Sequence, residues 1–85
     1  MPRFRRKPRL VEAVQWTGGD PAWSAICALH ADSERVAFRE ADGTVSIETT
    51  GGRVTAQLGD WIIKWAAEDF ALCRPEGFAA NYEPA

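Results

Sequence analysis

Few residues in this 85-residue chain are equipped for chemistry: one histidine, two cysteines, twelve acidic and ten basic side chains. A zinc site needs three or four closely spaced N or S ligands, and His30, Cys27 and Cys73 do not supply them. There is no Asp-x-Asn-x-Asp-Gly calcium loop and no Gly-x-Ser-x-Gly elbow to present a serine to a base. Gly18-Gly19 ahead of a helix start outlines a phosphate cradle. Asp20, however, puts negative charge where an anion would sit, and Pro21 deletes a donor. Glu12, Asp60 and Lys64 have the acid-plus-lysine inventory of a nuclease centre. Asp60 follows a glycine, though, and a turn carboxylate in that position accepts local backbone N–H groups. Glu68-Asp69, adjacent in a turn, reads as a solvated pair, and His30 as a residue favoured near a helix C-terminus by the dipole. No metal, cofactor or catalytic set is expected.

The aromatic residues carry more information. Four Trp, four Phe and one Tyr must build most of the core of so short a chain, each ring burying about 150–250 Å². Trp61 and Trp65, with Ile63 between them, share one face of a strand. Buried, all three are core. With Trp65 at the surface, the ring becomes a platform for a base, a nucleotide or a partner's side chain. Lys64, Arg39 and Arg53 are the cations that a ligand there would need.

Charge is unevenly spread. Arg3, Arg5, Arg6, Lys7 and Arg9 place five of the ten basic residues in a nine-residue arm; from Leu10 onward five basic residues face twelve acidic ones, a net of −7. The acidic body repels phosphate, so nucleic-acid contact falls to the arm. No apolar run approaches the ~18 residues of a membrane span. Two isolated cysteines make no disulfide framework, and no apolar leader follows the basic start. A soluble, cytoplasmic protein with reduced thiols is expected, both cysteines being small buried hydrophobes.

The elements that position these groups can be read in order. Pro2 and Pro8 keep residues 1–9 from becoming helix. Residues 10–16 read as a strand apolar on both faces. Asp20 can cap a helix with Pro21 in its first turn, running to about residue 31 with Trp23, Ile26, Cys27 and His30 on one face. Residues 36–39 and 45–48 alternate around Asp42-Gly43, a type I′ hairpin signal. A turn at 49–52 leads to a strand over 53–58. Gly59-Asp60 then turns the chain into the apolar run 61–65, the most central strand in appearance. After a turn at 66–69, a last strand spans 70–73, and Phe78 and Tyr82, at i and i+4, follow Pro75 in one or two helical turns. The fold class is α+β: one domain over 10–85, an early helix, and a curled antiparallel sheet of about five strands to which the first strand adds, forming a small roll or half-barrel.

The opening Arg6-Lys7-Pro8-Arg9-Leu10-Val11-Glu12-Ala13-Val14-Gln15-Trp16-Thr17-Gly18 resembles that of a widespread family of small tailed-phage and prophage proteins. Gly59-Asp60-Trp61-Ile62-Ile63-Lys64 is similar to that family's second signature. Phe70, Cys73, Pro75 and the closing Phe78-Ala79-Ala80-Asn81-Tyr82-Glu83 are similar to its third. The chain departs from the related Pro-Gly-Asp-Tyr-Gly motif: it has Leu58 and Trp61, Trp65 stands where a glycine is usual, and Ala66-Ala67 replaces a usual Gly-Glu. The resemblance implies a phage-encoded accessory protein in the bacterial cytoplasm and names no activity. The matching residues Glu12, Trp16, Gly59, Asp60, Trp61, Phe78 and Tyr82 have the types of turn and core positions.

The leading expectation is a non-enzymatic accessory protein that binds a host or phage protein, a host factor or defence system among them. Two alternatives stay open: an oligomer sequestering a nucleotide ligand between subunits, and a nucleic-acid binder acting through Arg5, Arg6 and Lys7.

Overall fold

The computed structural model describes residues 10–83, so the basic arm with Arg5, Arg6 and Lys7 lies outside the described residues. Alternating residues build six strands and two helices build the rest: β1 (Glu12–Gln15), α1 (Asp20–Leu29), β2 (Ala37–Arg39), β3 (Val45–Thr49), β4 (Gly52–Ala56), β5 (Trp61–Ala66), β6 (Asp69–Cys73) and α2 (Pro75–Asn81). The α+β class is observed. The strands form two three-stranded antiparallel sheets, ordered β1-β5-β6 and β2-β3-β4, rather than one sheet of about five. β4 does not pair with β5, because the loop between them spends its backbone groups on the end of β1. The apolar run 61–65 is central, as its composition suggests, and β1 joins the sheet by pairing with it from Glu12↔Lys64 to Gln15↔Trp61.

Cross-strand register sorts the first sheet into two faces. Val14, Ile62 and Leu72 align on one, with Lys64 and Phe70; Ala13, Ile63 and Ala71 align on the other, with Trp61 and Cys73. The first face meets α1 and the second sheet. Trp16, Ile26, Leu29, Val45, Ile47, Ala56, Ile62 and Phe70 are buried together there. Trp16 is only 1% exposed, and its indole N–H, which would be costly to bury unpaired, donates to the Gly43 carbonyl at 2.9 Å. The second face is covered by α2: Phe78 stacks on Trp61 at 3.8 Å and Tyr82 stacks on Phe78 at 4.9 Å.

Several local expectations are corrected. Gly19, extended at φ −103°, is the N-cap of α1, and no side chain caps it. Asp20 instead pairs with Arg39 at 2.8 Å. The buried stripe of α1 is Ile26, Leu29 and His30. At about 100° of rotation per residue, Cys27 turns away from Ile26 and is exposed, while Cys73 is half-buried. The β2–β3 turn is not type I′. Only Gly43 has positive φ, the Gly43 N–H donates to the Glu40 carbonyl, and Glu40 and Thr44 close the loop, so three residues connect the strands with the glycine left-handed at the last.

Between β4 and β5 the chain makes a tight knot. The Gly59 N–H donates to the Trp16 carbonyl at 2.7 Å, the Trp16 N–H to the Asp60 carbonyl at 2.9 Å, and the Gln15 side chain to the Gly59 carbonyl at 3.1 Å. The Asp60 carboxylate, 3% exposed, accepts the Gln57 N–H at 2.9 Å and lies 3.4 Å from the Arg74 guanidinium. Gly59 holds φ +92°, and a Cβ there would stand 3.3 Å from Pro75 Cγ. Gly59→Ala is therefore expected to lower stability in urea unfolding by about 1–2 kcal/mol, the cost of forcing an L-residue into left-handed backbone. Gly51→Ala, at ordinary φ and with only van der Waals contact awaiting a Cβ, is expected to change it little.

Candidate binding surface around Trp65

Between Lys64↔Phe70 and Ala66↔Asp69, β5 holds one residue more than β6, and that residue is Trp65. Such a bulge sharpens the local twist and re-aims the side chain. Trp65 ends half-buried, tilted 55° against Tyr82 with centroids 6.2 Å apart. It is thus neither fully core nor a bare platform. It fronts two depressions. One, of about 500 Å³, runs between the β3–β4 turn at Thr49 and Thr50, Val54 of β4, and Asp69 to Leu72 of β6. The other, of about 300 Å³, lies between Leu10, Glu12, Asp32 and Lys64.

Lys64 is a largely enclosed cation. Its side chain is 10% exposed, its ammonium pairs with Asp32, and it stands 5.9 Å from the centre of the Phe70 ring. On the same ring His30 stacks at 4.1 Å, nearly parallel. His30 is buried, and its Nδ1 lies 2.8 Å from the Ile26 carbonyl, a bond in which the nitrogen carries the proton. The histidine therefore secures the last turn of α1 through a hydrogen bond and a ring contact as well as by its place at the helix end. Further links hold the connection after α1 to the β5–β6 turn. The Glu34 N–H donates to the Glu68 carboxylate, and the Arg35 guanidinium donates to the Glu68 carbonyl at 3.0 Å.

The sequence candidates fall in separate places. Asp60 and Lys64 sit toward opposite ends of β5, about 13 Å apart at strand rise, so they build no joint acid–lysine centre. Glu12 does lie beside Lys64, as its cross-strand partner. Arg39 reaches over Trp16, 5.5 Å from the ring centre, to Asp20 and the Gly18 carbonyl at the start of α1. Arg53 lies on the outer face of the second sheet, 4.4 Å from the Phe38 ring. Lys64, Arg39 and Arg53 thus do not converge within one chain. Asp32 and the Thr49–Asp69 side of the larger groove have no local signature: each is brought to Trp65 or Lys64 only by pairing between distant segments. Among the described residues, no group of three or more His, Cys, Asp or Glu side chains is arranged to hold a metal ion, and no helix is long and apolar enough to cross a membrane.

Compared with protein-family models, with curated proteins and with solved structures, the chain finds no match.

Two titrations report on this surface. The hydrogen bond from Lys64 holds the Asp32 carboxyl below its usual value. Stability from a depressed carboxylate is present above its unfolded pKa of about 3.9 and is lost as pH falls through the folded value. The urea midpoint of the wild type is therefore expected to exceed that of Asp32→Asn at neutral pH, and the gap to close in acid. Burial, with a smaller contribution from Cys73, raises the Tyr82 phenol above its ordinary value. That contribution is present below the unfolded pKa of about 10 and is lost as pH rises through the folded one. Alkaline titration followed by tryptophan fluorescence is expected to show α2 loosening from Trp61 and Trp65, with Tyr82→Phe removing the step.

Proposed function

We propose that this protein is a small phage-encoded accessory protein that acts by binding another protein, a host factor or a component of host defence. The observation that carries the reading is the placement of Trp65. A bulge in the central strand of a sheet sets a large, half-buried ring between two open grooves, backed by a buried core and flanked by charge. Aromatic anchors of this kind, rigid and partly desolvated before contact, supply most of the affinity in protein interfaces. The sequence likeness to small tailed-phage proteins supports the source. The acidic body, with a net of −7 from Leu10 onward, supports a protein partner over bulk nucleic acid. Because Arg39, Arg53 and Lys64 already have partners in three separate places, the nucleotide-holding alternative needs cations from a second subunit.

The test is recovery of the tagged full-length protein from bacterial cells, with bound proteins and small molecules read together by mass spectrometry. One stoichiometric protein is expected. Trp65→Ala is expected to weaken its capture at least tenfold, about 1.4 kcal/mol, while the variant still melts cooperatively. Recovery of a nucleotide without a protein, or turnover of a nucleotide or peptide by the purified chain, overturns the reading.

A further inference from the structure

The larger groove has a feature that a generic interface lacks. It lies along an edge strand. β6 is terminal in its sheet, and four consecutive residues of it, Asp69 to Leu72, line the depression. Val54 on the other wall belongs to β4, which is terminal in the second sheet. An edge strand directs every second pair of backbone N–H and C=O groups away from its neighbour, a ready template for another strand. Proteins commonly blunt such edges with lysine or proline; β6, Asp-Phe-Ala-Leu-Cys, has neither.

The side chains around the groove specify what kind of strand fits. Along β6, Phe70 and Leu72 face inward with Lys64 and Ile62, and Val54 approaches from the second sheet, half-buried against the core. Asp69 and Ala71 face outward, on the side of Trp65 and α2. Side chains of an added strand must alternate in the same way. Those turned inward meet Phe70, Leu72 and Val54, which suit aliphatic groups, together with Thr49 and Thr50 of the β3–β4 turn. Those turned outward pass the exposed Asp69 carboxylate, which suits a cation by charge.

Resting on the protein-binding reading above, we infer that this groove takes an extended peptide segment of its partner as a further strand beside β6, one that alternates aliphatic and basic residues. The backbone of β6 supplies affinity, the inward pocket selects aliphatic side chains, and the Asp69 carboxylate selects positive charge.

The probe is a short fluorescein-labelled peptide alternating valine and arginine, titrated against the intact chain by fluorescence anisotropy. The control peptide has glutamate in place of arginine. The arginine peptide is expected to bind saturably, about tenfold or more tighter than the glutamate peptide, one charged contact being enough for that ratio. Amide exchange within β6 is expected to slow on binding. The substitution Asp69→Lys, at an exposed position, is expected to reverse the preference between the two peptides. Equal binding of both peptides, an unchanged preference in Asp69→Lys, or exchange slowed only in β4 overturns the assignment. So does a dimer by light scattering whose β6 amides are protected without peptide, because the edge is then taken by a second copy. If a stoichiometric partner is recovered from cells while neither peptide binds, the strand-addition inference fails and the binding function stands.

Discussion

The buried carboxylate of Asp60 is the constraint on which the rest of the structure depends. A carboxylate removed from water needs compensation, and here one oxygen accepts the Gln57 N–H while the other, without a hydrogen bond, has the Arg74 guanidinium as an ion-pair partner at 3.4 Å. Holding the Gln57 N–H fixes the turn between β4 and β5. The turn in turn presents Gly59 and Asp60 to both backbone groups of Trp16. Three separated segments therefore meet at one residue: the end of β1, the exit of the second sheet and the entry to α2. The register of β1 on β5 follows from that meeting point, and with it the choice of which face of Trp61 to Ala66 looks inward. A one-residue slip would exchange Ile62 for Ile63 in the core and turn Trp61 and Trp65 toward α1.

That register leaves the two faces of the first sheet with different partners. The inward face is closed by α1 and the second sheet through aliphatic packing and the His30–Phe70 stack. The outward face is closed by a seven-residue helix with no fully buried residue, held by the aromatic series Trp61, Phe78, Tyr82 and Trp65. Helices this short contribute little stability of their own, so the rings hold α2 far more than α2 holds the rings. The proposed binding surface thus lies where the packing is aromatic, partial and peripheral, while the inward side of the sheet closes completely, with aliphatic side chains around Trp16 and Phe70.

How much of this was legible in the sequence follows from the range of each interaction. Alternation and turn residues are local, and they marked the strands of both sheets and the helix with its first-turn proline. The centrality of Trp61 to Trp65 and the i, i+4 pair Phe78–Tyr82 were legible for the same reason. The division into two sheets was not, because it depends on whether β4 pairs with β5, which the bonds to Trp16 decide from more than forty positions away. Cys27 was misplaced because its four-residue spacing from Trp23 matches a stripe whose centre lies at Ile26 and Leu29. Trp65 and Lys64 stood out by type. Their neighbours Asp32, Thr49 and Asp69 did not, since nothing near them in sequence distinguishes them from ordinary polar connections.

The pairing of β1 with β5 also orders the assembly of the molecule in time. All other strand pairs join neighbours along the chain and can close as hairpins. β1 and β5 enclose α1 and the entire second sheet between them, so their union closes the longest loop and bears its entropy. The hairpins β2–β3–β4 and β5–β6 can form first, and β1 arrives as the final strand of a sheet already begun. Residues such as Val14 then belong to the late part of the folding route, where a substitution accelerates unfolding far more than it slows folding; mutants there that instead chiefly slow refolding would contradict this order.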